Sequence, residues 1–157
     1  MSGRISRRLI ELNVLLPSPP APVANYAAYT CVGQLVQVAG VAPTEDGAYT
    51  VVGKVGHELS VADGRRAARL CALNLIATLN AACDDDLDRV RRVVMVRGFV
   101  NATDNFGEVP FVMDAASDLI VEVFGTDIGR HARTSIGCAT LPSRVAVEID
   151  ALVMIVN

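Results

Sequence analysis

Apolar positions along this chain alternate between two periods, and the switches between them lay out its elements. Ile5, Leu9 and Leu12 recur at helical spacing, which predicts a short amphipathic helix. Leu16-Pro-Ser-Pro-Pro-Ala-Pro22 follows as a stiff extended connector, because proline cannot be accommodated in a helix interior. Tyr26 to Thr30 reads as a strand, Gly33-Gln34 as a hairpin turn, and Leu35 to Ala39 as the partner strand. The stretch from Gly40 to Gly56 is glycine-rich and mixed, with a short strand expected at Tyr49 to Val52.

Ser60-Val-Ala-Asp63 carries a helix start: the serine hydroxyl caps an orphan backbone N–H, and Asp63 sits in the positive first turn. The helix runs to about Ala82 with an apolar stripe of Ala68, Cys71, Leu75 and Leu79, and Asp84-Asp-Asp86 closes it as a solvated loop. The Val-rich run Val90 to Val100 reads as a strand, and Asn101 to Asn105 as a turn. A second helix is expected from about Gly107 to Phe124, with Val112, Ala116, Leu119, Ile120 and Val123 inward. Pro110 sits in its first turn, and Gly125 just past its end. Two last strands are expected, about Arg133 to Thr140 and Arg144 to Val156.

The order α-β-β-β-α-β-α-β-β predicts an α+β domain, a mixed sheet with two long helices packed on one face. No further helix is left for the other face, and a symmetric partner is the simplest cover. The 157 residues read as a single domain, 1–157, with the helix and proline-rich connector of 1–22 as an extension. Hydrophobic residues make up 52% and charged residues 20%, enough for a sizeable core with apolar surface left over for an oligomer. Arg4, Arg7 and Arg8 before Leu9-Ile10 imitate a signal peptide, but Glu11 and Asn13 break the apolar run. No stretch nears the roughly 20 apolar residues that span a bilayer, so a cytoplasmic protein without membrane attachment is expected. Net charge is −3 and Trp is absent, which argues against nucleic acid. Cys31, Cys71, Cys83 and Cys138 form no zinc spacing and read as small buried hydrophobes.

The chemistry concentrates near the C-terminus. Arg133 begins an apolar strand after Gly129-Arg130-His131, and Glu148 lies within the next apolar strand. Buried opposite charges are costly unless paired or used on a ligand. An arginine fork suits bidentate grip on a carboxylate, although a surface ion pair is the plainer account of an arbitrary arginine. Strand alternation puts Glu148 with Ala146 and Asp150, opposite Val145, Val147, Ile149 and Ala151. Glu148 is either a solvated side chain or a general base holding a water. Tyr26 reads first as packing with an edge-exposed hydroxyl, His131 as a loop residue, and Cys138 as an inert thiol. Lys54, in Gly53-Lys-Val-Gly56, lacks phosphate-loop spacing and stays unassigned.

Ala132-Arg133-Thr-Ser-Ile-Gly-Cys-Ala-Thr-Leu141-Pro142, followed by Val147-Glu148-Ile149, resembles the Rid or YjgF-like family, the reactive intermediate deaminases, some labelled "endoribonuclease L-PSP". The likeness extends upstream through Gly33 to Gly40 and the helix after Ser60. Ala67 to Asn74 and Ala115 to Arg133 resemble a divergent subgroup. The resemblance implies a chorismate-mutase-like fold, a homotrimer with clefts between subunits, and no cofactor or metal. It also implies hydrolysis of enamines or imines to a 2-keto acid and ammonia. In that frame Arg133 anchors the substrate carboxylate, Glu148 holds the attacking water, and Tyr26 lines the cleft. Ala39 stands where the deaminases usually have Ser, and Pro110 where they usually have Asn. The alternative is a non-catalytic ligand-binding or regulatory module of the same fold. Ribonuclease or translation inhibition ranks third.

Overall fold

In the computed structural model, which describes residues 3–156, the elements fall close to the expected order. Helix α1 spans Arg4–Glu11 and buries Ile5. Its first turn is capped from a distance: the Asp88 carboxylate accepts from the backbone N–H of Arg4 at 2.6 Å and of Ile5 at 2.9 Å. Strands β1 (Tyr29–Val32) and β2 (Leu35–Val41) form a hairpin around Gly33-Gln34, and Gly33 has φ +59°. Positive φ at the first turn position favours glycine there.

Tyr26 lies in the bend before β1, three residues short of the strand that was expected to start there. The pattern Tyr-Ala-Ala-Tyr allows either start. Pairing decides: Tyr29 is the first residue with a register partner, Val38. The strand expected at Tyr49 to Val52 is displaced as well. Instead β3 (Thr44–Glu45) and β4 (Ala48–Tyr49) make a small hairpin. Its turn residues Asp46 (φ 50°) and Gly47 (φ 79°) are both left-handed, as a type I′ turn requires.

Helix α2 is Val61–Ala82, opened by a reciprocal capping box between Ser60 and Asp63. Strand β5 (Val90–Asn101) leads through α3 (Val109–Phe124) and a single turn, α4 (Thr126–Gly129), to β6 (Ala132–Cys138). A short 3₁₀ turn at Pro142–Arg144 precedes β7 (Val147–Ile155). The five-stranded sheet runs β1-β2-β7-β5-β6. Only β5 and β6 are parallel, as the crossover through α3 dictates.

Helices α2 and α3 cover one face of the sheet, packing on Val36, Val38, Val96, Val100, Ile149, Ala151 and Val153, all fully buried. Alternation sends their neighbours to the other face. There Val32 is 77%, Ile136 49%, Leu35 41% and Met154 37% exposed, and no described element covers them. The cysteines divide more than their apolar surroundings implied. Cys71 and Cys83 are buried and Cys138 is half-buried, but Cys31 is exposed, because β1 is an edge strand. Among the described residues no helix is long and apolar enough to cross a membrane.

Candidate functional site

Register assigns Arg133 and Glu148 to different faces. Arg133 is level with Val96, which is level with Ala151 on the helix-covered face. Glu148 is level with Phe99 on the open face. Two strand spacings of about 4.8 Å and three rises of about 3.3 Å separate the two backbones by about 14 Å. One chain therefore does not bring the expected anchor and the expected base into a common pocket.

Arg133 is held on the covered face by a stripe of α3. Its Nη1 donates to Asp114 Oδ1 at 2.8 Å and to Ser117 Oγ at 3.1 Å, and its Nη2 donates to the Pro110 carbonyl at 3.3 Å. Asp114 and Ser117 were not marked by the sequence reading. Their spacing from Pro110, four and then seven residues, was the available signal for one helix face. His131 joins the same cluster, with Nε2 3.1 Å from Ser117 Oγ and Nδ1 2.6 Å from the Gly129 carbonyl. Burial, with the nearby Arg133 charge, holds the imidazole below its usual pKa.

Glu148 has the opposite environment. It accepts no hydrogen bond among the described residues, and burial followed by the neighbouring Asp150 charge raises its pKa. It lies against Gly40, where an added Cβ would collide with Glu148 Oε1. Ala39 and Gly40 together oppose Asp150, because the register shifts from Val38↔Ala151 to Val41↔Ile149. This bulge lets the backbone approach the carboxylate closely. Asp150 is itself paired with Arg97 at 2.8 Å.

A cavity of about 360 Å³ adjoins the bulge, lined by Tyr26, Ala39, Gly40, Tyr49, Thr78 and the connector residues Pro20 to Val23. It brings Tyr26 to the β2 bulge, and neither Glu148 nor Arg133 lines it. Lys54, unassigned by motif, donates to the carbonyls of Ala102 at 3.0 Å and Ala139 at 2.6 Å, closing the ends of β5 and β6. Asn101, 3% exposed, donates to the Gly53 carbonyl at 3.2 Å while its Oδ1 has no partner. The Cys138 thiol is pushed up by burial, which suits the inert reading.

The family model described as "YjgF/chorismate mutase-like, putative endoribonuclease" matches residues 6–152. The chain belongs to this family. Its YjgF-like fold is the mixed sheet with two long helices on one face that the residue pattern pointed to. Protein TCP17 of Trypanosoma cruzi is 45% identical over 99% of this chain and 97% of its own length. The crystal structure of Atu1372 from Agrobacterium tumefaciens, a protein of unknown function, is 44% identical, with a TM-score of 0.89 over 97% of this chain and 92% of that one. The fold also extends to TdcF of E. coli, solved with bound serine. That structure is 18% identical, with a TM-score of 0.62 over 89% of this chain and 97% of that one.

Proposed function

We propose that this YjgF-family protein is a homotrimer that binds a small carboxylate in clefts between its subunits and hydrolyses an imine or enamine there. Arg133 anchors the carboxylate, Glu148 holds the attacking water, and Tyr26 lines the cleft. The observation that carries this reading is the separation of Arg133 and Glu148 onto opposite faces. Two groups about 14 Å apart across a sheet serve one ligand only when one subunit's fork meets another subunit's acid.

The surroundings of each residue support the roles. Glu148 is half-buried, takes no hydrogen bond from the described residues, and has a raised pKa, properties of a carboxylate able to accept a proton from water. Arg133 keeps Nε–H and one Nη2 N–H unengaged among the described residues, enough for a bidentate grip. The uncovered apolar sheet face supplies the surface for association. TdcF, of the same fold, holds serine, itself a small carboxylate.

A non-catalytic ligand-binding module has its own supporting observation. Ala39, in the β2 bulge before the Gly40 that lies against Glu148, brings no hydroxyl to hold substrate or water. Coupling the protein to a dehydratase that releases 2-aminoacrylate separates the two. The deaminase reading expects wild type to accelerate ammonia release and Arg133→Ala to give no acceleration. Pyruvate binding in calorimetry without turnover selects the module. RNA cleavage that survives Arg133→Ala would discard this site altogether.

A further inference from the structure

Gly129-Arg130-His131-Ala132-Arg133, conspicuous in sequence, has no part in the function above beyond its last residue. The geometry gives it one. Gly129 packs so closely on α3 that an added Cβ would lie 2.7 Å from the Ile120 carbonyl oxygen and 3.0 Å from Val121 Cα. This contact aims the Gly129 carbonyl at His131 Nδ1, 2.6 Å away. A carbonyl only accepts, so Nδ1 carries the proton and Nε2 is left with a lone pair. That lone pair faces Ser117 Oγ at 3.1 Å. The Ser117 hydroxyl donates its proton to His131, which turns an oxygen lone pair toward Arg133. Arg133 Nη1 donates into it at 3.1 Å. The second N–H of Nη1 goes to Asp114 Oδ1 at 2.8 Å, and one of Nη2 goes to the Pro110 carbonyl at 3.3 Å.

Each hydrogen bond in this chain has one direction, set at its far end by a main-chain carbonyl. The guanidinium is gripped through Nη1 and one N–H of Nη2, which leaves Nε–H and the other Nη2 N–H on neighbouring nitrogens. We infer that His131, Ser117 and Asp114 are positioning residues that orient the Arg133 guanidinium, so that its Nε and Nη2 donors form the carboxylate-binding fork. The inference rests on the anchor role proposed for Arg133. Burial, together with the Arg133 charge, favours neutral His131, the state the relay requires. The Asp114 side chain is partly solvated, 45% exposed against 23% for Arg133. Truncating it removes an acceptor without opening the core.

The test uses pyruvate as the probe and the full chain. Calorimetry on wild type is compared with Asp114→Ala, Ser117→Ala and His131→Ala, and with the acceptor-retaining Asp114→Asn, Ser117→Thr and His131→Gln. Losing a charged acceptor should weaken pyruvate binding about 10-fold and losing a neutral one about 5-fold, with each retaining variant within about 3-fold of wild type. Thermal melts identify any variant whose fold is lost. Arginine-selective ¹⁵N NMR reads the grip without a ligand. Distinct Nη proton resonances for Arg133 in wild type, averaged in Asp114→Ala and Ser117→Ala and restored in Asp114→Asn, are expected. Imidazole ¹⁵N shifts should report the Nδ1–H tautomer of His131. Averaged Nη protons in wild type overturn the inference whatever the ligand does. Pyruvate binding that Arg133→Ala abolishes but Asp114→Ala and Ser117→Ala leave untouched overturns it while sparing the anchor role. Wild type that binds no pyruvate removes the anchor role, and the ligand half of the inference with it.

Discussion

The two faces of the sheet handle charge in opposite ways. On the helix-covered face Arg133 is held by three acceptors from α3, and its charge is answered within the chain. On the open face Glu148 takes no hydrogen bond from the described residues, lies against Gly40, and has its pKa raised by burial. The covered side is a cation held in place by a helix, with its Nε and one Nη2 donor left over. The open side is unfinished, with a desolvated acid on the same face as exposed Leu35 and Ile136. A folded chain keeps such a face when something else completes it.

The largest expected effect tests that completion. Leu35→Glu combined with Met154→Glu puts like charges at directly paired positions of the open face. Light scattering should report a monomer for this variant and a trimer for wild type, with far-ultraviolet dichroism retained. A monomeric wild type would break the comparison outright. Next comes Arg133→Ala, which should weaken pyruvate binding by about 2–5 kcal/mol in calorimetry, since it removes an anchor and leaves the ligand charge unpaired.

Gly40→Ala sharpens the open side. Its methyl must push Glu148 aside, at an expected cost of about 1–3 kcal/mol in denaturant unfolding. In a Glu148→Ala background most of that cost should vanish, and additive losses would show that the contact is not responsible. The smallest effect is electrostatic. Because the folded pKa of Glu148 is raised, the folded state holds its proton more tightly than the unfolded chain does. Its contribution to stability is therefore intact below the ordinary carboxylate value of 4.5 and declines as pH rises through the raised folded value. Glu148→Gln should flatten that decline in melts taken from pH 4 to 8, and an unchanged slope would place its cause elsewhere.

Much of this contrast is readable in the chain. The Ser60–Asp63 box, the end of α3 at Gly125 and the turn at Gly33 are local devices, and all three form where the residues pointed. Glu148 could be put opposite Ile149 by alternation alone. Asp46-Gly47 also carries a local signal, one that the glycine-rich composition of 40–56 hides, and it moved the expected strand at Tyr49. The position of Tyr26 was not readable, because four residues of Tyr and Ala fit a strand or a bend equally well. The acceptors of Arg133 were hidden for another reason: Asp114 and Ser117 are unremarkable polar residues until a crossover lays α3 beside β6.

The order of residues by itself determined where the long helices and the central strands form, which face of each was apolar, and which two charges stood out. Those follow from backbone chemistry and side-chain period, which act over a few neighbours. Tertiary structure alone decided that Arg133 and Glu148 face away from each other, that Gly40 presses on the acid, and that His131 reaches the arginine through a serine. Strand order, register and the β2 bulge bring together residues distant in the chain, and no short-range pattern encodes those contacts.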